Sequence, residues 1–404
     1  MSADPLSDVV SSQYARWMYP QPILDIRKWL TSNWQWFDPS HSHRMLWPDR
    51  YACPNIDILV AGCGTNQAAV LAYTNPAARV VAIDVSQPSL DHHQYLKTRY
   101  GMSNLVLHLL PVEDAGRLGQ EFDLIISTGV LHHLAVPEAG TKALAQCLRP
   151  EGVMALMLYA KYGRTGVEMM QGVFRDMGLV QNDRSVLMVR EALACLPPDH
   201  PLRSYMTIAP DVKYDAGLVD TFLHGRERCY TVAECIALVE AAGLVFQDLF
   251  IKAPYHVHGT PANAFLSAAA DLPEQKMWQV MERINFRNGC HFFMACHPDR
   301  PSGSYRIDFA SPAAEDYVPS LRYRCGLNGR QLFRHDWTMT LDPQQLALMQ
   351  LVDGHRSIRD IAAEAGRQNL FGTSDADTAT GRTRSFLRSM WRLDFLAMGI
   401  RPGA

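Results

Sequence analysis

The 404-residue sequence contains no apolar run that approaches the about 20 residues needed to span a membrane. Its first residues form neither a basic region nor an apolar core, so we expect no secretory signal. The nine cysteines are odd in number and include no C-x-x-C pair, which favours reduced thiols over a disulfide framework. These absences together predict a cytoplasmic protein without a membrane partner.

The sequence also lacks an excess of charge of one sign. Its net charge is −3 and its pI is about 6.6, so no global field attracts it to nucleic acid. Four arginines of the last predicted helix could contact RNA or an acidic protein, but the negative balance favours a solvated face. They are Arg382, Arg384, Arg388 and Arg392. Nucleic acid is therefore not expected as a partner.

Strand and helix patterns alternate through the segment 56–158. Apolar runs lie at 56–61, 79–84, 105–110, 122–127 and 152–158, and helical stretches lie near 66–74, 87–100 and 137–147. Buried apolar runs separated by helices are typical of a doubly wound parallel sheet. Ligands of such sheets bind outside the carboxyl ends of the strands, where we place the functional site.

Two later apolar strands, at 244–251 and 290–296, would complete a seven-stranded sheet. Residues 160–230, which precede them, are predicted to form a helical insertion. The predicted fold class is therefore α/β, with a doubly wound, Rossmann-like sheet in a domain that spans residues 51–298.

The two ends of the chain carry different patterns. Residues 1–50 are rich in aromatic residues and proline, which predicts a helical lid over the site. Residues 299–320 contain prolines, serines and a glycine and are interpreted as a linker. Residues 321–404 combine a strand-like stretch with three helix patterns, two of which begin at the N-caps Asp342 and Ser357. We expect a small winged-helix-like α+β domain there.

The most informative feature is a Gly-x-Gly turn after the first apolar strand. Gly62 and Gly64 let the backbone approach a ligand closely, and Asp84, at the end of the second strand, can hydrogen-bond a ribose diol. Gln67 occupies the place of the third glycine of a dinucleotide fingerprint, which argues against NAD and FAD. The turn therefore predicts a nucleoside ligand without phosphates, and S-adenosyl-L-methionine (SAM) fits that description.

Four sequence blocks resemble those of the class I SAM-dependent methyltransferases and occur in the same order and spacing as in that family. They lie at 58–65, 81–84, 122–134 and 148–153, and the resemblance covers residues 1–297. The Val-Leu-His-His loop and the C-terminal module further resemble bacterial members that carry a regulatory-like C-terminal domain.

This resemblance implies that SAM is the cofactor. Gly62 and Gly64 would lie beneath its methionine part, Asp84 would hold its ribose, and Val112 with Glu113 would flank its adenine. The other cofactor-binding residues that it implies are Tyr19, Cys63, Thr65, Val85 and, on the sulfonium side, Ser127, Thr128 and Gly129.

The sequence departs from the family pattern at three positions. Val60 and Pro111 stand where acids are usual, and Asn66 stands where a glycine is usual. Backbone groups or the N-terminal segment would then have to supply the missing contacts. These departures motivate an alternative in which the protein binds SAM without transferring its methyl group.

The acceptor side is expected after the fourth and fifth strands. His132 and His133 could act as a base or bind the acceptor; alternatively, one stabilises the loop and the other packs. Tyr159 is the third catalytic candidate, and Tyr162 and Arg164 could bind the acceptor, Arg164 by gripping a carboxylate or phosphate. The alternative for Arg164 is a solvated residue at the start of a helix.

Histidines and cysteines at 255–258 and 290–297 invite a metal interpretation, but their spacing matches no zinc motif. Cys290 and Cys296 alternate along one apolar strand, where a buried thiol is an ordinary core residue. We therefore expect no metal.

Together these patterns predict a SAM-dependent methyltransferase that acts on an oxygen or nitrogen atom. A small-molecule acceptor is favoured because the insertion would enclose a pocket. A protein acceptor and a non-enzymatic, SAM-binding regulatory protein are the alternatives, and the sequence leaves open whether the chain forms a homodimer.

Overall fold

The computed structural model describes residues 4–258, 263–372 and 375–401. The chain divides into two compact units. The sheet unit comprises Met1–Phe37, Pro54–Leu249 and Glu282–Asp299, and the C-terminal unit comprises Asp38–Cys53, Phe250–Met281 and Arg300–Ala404.

A seven-stranded sheet forms the centre of the sheet unit and confirms the predicted fold class. Its strands are β1 (Asp57–Ala61), β2 (Arg79–Asp84), β3 (Leu105–Leu109), β4 (Phe122–Thr128), β5 (Leu148–Tyr159), β6 (Val245–Leu249) and β7 (Cys290–Cys296). They lie in the order β3-β2-β1-β4-β5-β7-β6, with β7 antiparallel to both of its neighbours. The first five strands are parallel, as the alternation of strand and helix predicts.

Helices connect and flank these strands. No helix among the described residues is long and apolar enough to cross a membrane. The helices of the chain are Val9–Arg16, Ile26–Leu30, Pro39–Leu46, Gln67–Thr74, Gln87–Tyr100, Pro137–Ala145, Thr165–Asp176, Asp183–Cys195, Pro201–Met206, Asp215–Phe222, Val232–Ala241, Ala264–Ala270, Glu274–Ile284, Pro343–Gln350, Ile358–Arg367 and Ala376–Arg392.

The strand order reverses direction at β1, which pairs in parallel with β2 on one side and with β4 on the other. Such a reversal opens a crevice at the carboxyl ends of the strands. Gly62 follows β1 at this point with φ +72°, and a Cβ there would lie 2.3 Å from a methyl carbon of Val130. Only glycine combines that backbone conformation with that close approach.

The C-terminal unit has its own sheets and core. Strand β8 (Val318–Leu321) pairs antiparallel with β12 (Leu396–Gly399), and three further strands form a second antiparallel sheet. Those three are β9 (Gly326–Asn328), β10 (Gln331–Arg334) and β11 (Trp337–Thr340). Buried side chains such as Leu332, Ile361 and Phe395 form the core. The winged-helix resemblance of this region stays a prediction.

Both predicted N-caps of the C-terminal unit are confirmed as capping boxes. The Asp342 side chain accepts from the backbone N–H of Gln345, whose own side chain returns to Asp342. Ser357 and Asp360 make the same reciprocal pair. Each box satisfies two amide donors that the first turn of a helix otherwise leaves unpaired.

Replacing Ser357 with alanine should weaken the start of the helix Ile358–Arg367 by about 1 kcal/mol, because the hydroxyl that caps its first turn is lost. Backbone amides of that turn should then exchange with deuterium roughly fivefold faster, by the conversion of free energy to an equilibrium constant. Ser389→Ala is the control, since that hydroxyl donates only to the carbonyl of Ser385. Equal rates of amide exchange in the two variants would contradict the capping role of Ser357.

Candidate functional site

The nucleoside half of the site is built around Asp84 at the end of β2. The backbone N–H of Gly64 donates to one carboxylate oxygen at 2.8 Å, and that of Ser86 donates to the other at 2.8 Å. Burial raises the pKa of Asp84 to about 6, despite these hydrogen bonds to the ionised form. A carboxylate held next to the glycine turn is placed to accept hydrogen bonds from a ribose diol.

Val112 and Glu113, predicted to flank the adenine, lie in the segment that follows β3. Val112 begins the 3₁₀ helix Val112–Leu118 and is buried. Glu113 follows it, with one carboxylate oxygen buried and without a partner, and burial raises the pKa of this group. An unpaired buried acceptor is costly unless a ligand donates to it, so Glu113 fits an adenine amino group or a similar donor.

The predicted sulfonium-side residues lie at the end of β4. Ser127 donates to the carbonyl of Ala61 at 3.0 Å, and Thr128 donates to the side chain of Gln67 at 3.0 Å. Gly129 follows with φ +75°. These bonds tie the ends of β1 and β4 together beside the glycine turn.

Cys63 and Val85 complete the group near Asp84. The Cys63 thiol is buried, and burial together with Asp84 raises its pKa well above the ordinary value, so it carries no charge at neutral pH. Val85 is half-buried. With its two glycines, buried acceptors and apolar filler, this half of the site fits the nucleoside of SAM.

The N-terminal segment is fastened to the glycine turn. The Thr65 hydroxyl donates to the carbonyl of Pro20 at 2.6 Å. Asn66 donates to the carbonyl of Gln21 at 2.9 Å and accepts from the backbone N–H of Ile23 at 3.0 Å. The departure from glycine at position 66 therefore has a structural use, which the family pattern alone did not reveal.

The acceptor half lies at the ends of β4 and β5. The rings of His132 and Tyr159 are stacked at 3.9 Å between centroids, and those of His133 and His224 at 3.8 Å. His132, His133 and Tyr159 are buried. The three residues predicted to be catalytic are thus brought together, although their catalytic role stays a prediction.

The protonation of His133 is set by its surroundings. Its Nδ1 lies 2.9 Å from the carbonyl oxygen of Arg226, which can only accept, so Nδ1 carries the proton. Its Nε2 is buried and has no partner. Burial lowers the pKa of His133 well below its ordinary value, so the ring is neutral and Nε2 presents a free lone pair.

Asp220 is the residue of this cluster that the sequence did not indicate. It lies on the helix Asp215–Phe222 of the insertion and is 2% exposed. Its carboxylate accepts from the Tyr14 hydroxyl at 2.8 Å and from the Tyr159 hydroxyl at 3.2 Å. Burial raises its pKa to about 7. Its signal in the sequence was an acid in the interior of a mostly apolar helix.

Two tyrosines of the N-terminal segment reach this cluster and its surroundings. Tyr14 contacts Asp220, as described, and its oxygen also lies 3.3 Å from Nε2 of His224. Tyr19, predicted to bind the cofactor, donates from its hydroxyl to Asp211 at 2.5 Å. Its contact with a cofactor stays a prediction.

His133, Asp220 and His224 hold potential metal-ligating atoms within 4.8 Å of one another. An imidazole nitrogen that binds a metal must be unprotonated, and the other nitrogen of the same ring usually donates its N–H to an acceptor. Nδ1 of His224 instead accepts from the backbone N–H of Arg226 at 3.0 Å, which leaves the proton on Nε2. The three groups therefore suit a hydrogen-bond network better than a metal, and the expectation of no metal stays a prediction.

Arg164 and Tyr162, predicted to bind the acceptor, already have partners within the protein. The Arg164 guanidinium is fully buried and pairs with both carboxylate oxygens of Glu227, at 2.8 and 3.0 Å. Its carbon lies 3.7 Å from the centroid of the Tyr159 ring. The Tyr162 hydroxyl accepts from Arg283 at 3.1 Å. Arg164 is thus not a solvated residue, and its predicted contact with an acceptor is untested.

Comparison with known proteins identifies the central segment. Residues 59–154 match the methyltransferase domain family. An uncharacterised protein of Synechococcus sp. is 30% identical over 253 residues, which are 60% of this chain and 60% of that protein. A malonyl-[acyl-carrier protein] O-methyltransferase of Acetivibrio thermocellus is 31% identical over 105 residues, 26% of this chain and 36% of its own length. The chain thus matches 60% of the first relative's length and 36% of the second's.

Among solved structures, PKMT2 from Rickettsia typhi resembles the chain with a TM-score of 0.64 and 14% identity. The match covers 94% of this chain and 77% of that one. The same protein in complex with AdoHcy matches with a TM-score of 0.61 and 15% identity, over 91% of this chain and 76% of that one. At such identity the likeness establishes a shared fold.

The affinity for SAM should depend on pH through Asp84. Its pKa of about 6 means that the carboxylate is present above pH 6 and is lost as the pH falls through that value. Ribose hydroxyls donate to the carboxylate, so affinity should be full at neutral pH and decline below pH 6. Asp84→Ala should weaken binding at least about tenfold at pH 7.5, the effect of losing a hydrogen bond to a charged group.

Calorimetric titration with SAM between pH 5 and pH 8 measures both effects. Asp91→Asn is the control, because that carboxylate is exposed and accepts only from Gln87. If the Asp84→Ala variant bound SAM with unchanged affinity, the prediction that Asp84 binds the ribose would be wrong.

Proposed function

We propose that the protein transfers a methyl group from SAM to an oxygen or nitrogen atom of an acceptor molecule, since residues 59–154 match the methyltransferase domain family. The observation that carries the proposal is the free, buried lone pair on Nε2 of His133. It lies in the loop after β4, and β4 is the sheet neighbour of the strand that leads into the glycine turn. A hydrogen-bond acceptor thus follows the strand next to the nucleoside half.

When bound, SAM supplies a methyl group that its sulfonium has already activated. The protein then has to align the acceptor, exclude water and accept a proton, and positioning can supply much of the rate. Nε2 of His133 can accept a hydrogen bond from the acceptor, and the Asp220 carboxylate can take a proton near neutral pH. Tyr159 holds Asp220 in place through its hydroxyl.

A small molecule is the favoured acceptor, since the insertion buries Asp220 and the histidines. A protein side chain is the second candidate, supported by the additional C-terminal unit, which could recruit a partner. The cytoplasmic location remains part of the proposal and is supported by the cysteine content, which is odd in number and includes no C-x-x-C pair.

A non-enzymatic regulator that binds SAM is the alternative from a different class, favoured by the departures at Val60 and Pro111. Incubating the protein with methyl-labelled SAM and fractionated extract of its host distinguishes the two. Label that appears in a small-molecule fraction or a protein band supports transfer. Bound SAM with no label in any fraction would favour the regulator.

Replacing His133 with asparagine should slow methyl transfer about tenfold, because a hydrogen-bond acceptor that orients the acceptor molecule is lost. The affinity for SAM should stay unchanged, because Asp84 and the glycine turn are intact. His108→Asn on the exposed edge strand β3 is the matched control and should keep full activity. A loss of SAM affinity in His133→Asn that matches its loss of rate would instead indicate a structural role.

We also propose that the N-terminal segment acts as a lid on the SAM site, since Thr65 and Asn66 fasten it to the glycine turn. Asn66→Gly restores the usual family residue and removes both side-chain bonds to the segment. SAM should dissociate about tenfold faster from this variant, as expected for the loss of one or two hydrogen bonds. Stopped-flow release of SAM measures this rate, and an unchanged rate would count against the lid.

A further inference from the structure

The acceptor half of the site contains a carboxylate that no cation of the protein neutralises. In the described part of the chain, Asp220 bonds only to the hydroxyls of Tyr14 and Tyr159 and takes part in no ion pair. Hydroxyl donors are neutral and supply no opposite charge, and burial accordingly raises the pKa of Asp220 to about 7. A ligand of opposite charge would stabilise the ionised carboxylate, because a buried charge without a counter-ion is unfavourable.

The nearby arginines are already paired with other acids. Arg164 is bound by Glu227, and Arg226 donates to the carboxylate of Asp8 at 2.5 Å. The electrostatic attraction between Arg164 and the Asp220 carboxylate is opposed by the repulsion from the carboxylates of Glu227 and Asp211. The charged side chains around Asp220 therefore do not neutralise its carboxylate.

The imidazoles of the cluster add no positive charge. Burial is the main cause that lowers the pKa of His132, His133 and His224. The pKa of His224 falls to about 3, and all three rings are neutral at physiological pH. His133 instead offers the free lone pair on Nε2. The cluster thus presents a carboxyl group and a neutral imidazole nitrogen as hydrogen-bond acceptors.

Asp220 and His133 are close enough to bind one small polar group together. A ring nitrogen of His133 and a carboxylate oxygen of Asp220 lie within 4.8 Å of each other. Two N–H bonds that leave one nitrogen at the tetrahedral angle reach acceptors about 4.7 Å apart, if each hydrogen bond is about 2.9 Å long. One nitrogen can therefore donate to both groups at once.

We propose that the methyl acceptor is an amine that binds as an ammonium ion, with Asp220 as its counter-ion and catalytic base and His133 as the second hydrogen-bond acceptor. This inference rests on the proposed function and narrows its acceptor to nitrogen. A phenolate or carboxylate acceptor would bring a second negative charge next to Asp220, where like charges repel in a buried site.

The transfer balances with the groups present. The ammonium gives one proton to the Asp220 carboxylate, which leaves a lone pair on nitrogen. That lone pair forms the new N–C bond to the methyl carbon, and the electrons of the broken S–C bond pass to sulfur. The product carries the positive charge that the sulfonium held, and Asp220 returns its proton to solvent after the product departs.

The chemistry of the labelled bond tests this inference. Host extract is incubated with the intact protein and methyl-labelled SAM, then treated with base and, separately, with hot acid. An N-methyl group survives both treatments, and its amine is retained on a cation exchanger. Label released as methanol by base, or recovered as a neutral or phenolic ether, would overturn the ammonium proposal while methyl transfer itself stands. No label at all would overturn the proposed function and this inference with it.

Asp220→Asn supplies the second measurement. It keeps the shape and one acceptor oxygen but removes the charge, so labelling of the amine fraction should fall about a hundredfold. Calorimetry should find unchanged SAM affinity, which also establishes that the variant is folded. Asp215→Asn, an exposed acid at the start of the same helix that pairs with Arg190, is the matched control and should label normally. Full labelling by Asp220→Asn would exclude Asp220 as counter-ion and base.

Discussion

The parallel pairing of β1 with both β2 and β4 is the constraint on which the rest of the site depends. It brings the carboxyl ends of three strands to one edge of the sheet and leaves a crevice between the two directions of winding. Asp84 ends β2, the glycine turn follows β1, and the His132–His133 loop follows β4. The predicted nucleoside and acceptor halves of the site are neighbours because β1, β2 and β4 are neighbours in the sheet.

Burial then sets the charge of each group at that edge. It raises the pKa of Asp84 to about 6 and that of Asp220 to about 7, and it lowers the pKa of His133 well below the ordinary value. The carboxylates stay available as acceptors near neutral pH, while the imidazoles stay neutral. Asp220 and His133 thus both offer lone pairs to a hydrogen-bond donor at this edge of the sheet.

Distant segments complete the site. Tyr14 and Asp220 are 206 positions apart in the chain, yet they share a hydrogen bond of 2.8 Å. Asn66 links the glycine turn to the N-terminal segment, which gives a physical reason for one departure from the family pattern. Other side chains of the N-terminal segment reach the insertion, because Tyr14 lies beside His224 and Tyr19 donates to Asp211.

The sequence by itself determined the seven strands, the glycine turn, Asp84 and the N-caps Asp342 and Ser357, because hydrophobic periodicity and capping are local properties. Only the tertiary structure decided that Asp220 joins His133, that Arg164 pairs with Glu227, and which nitrogen of His133 carries the proton. Those outcomes depend on burial and on partners far away in the chain. A pattern along the sequence shows neither the burial of a side chain nor its distant partners, whereas the folded sheet and insertion determine both.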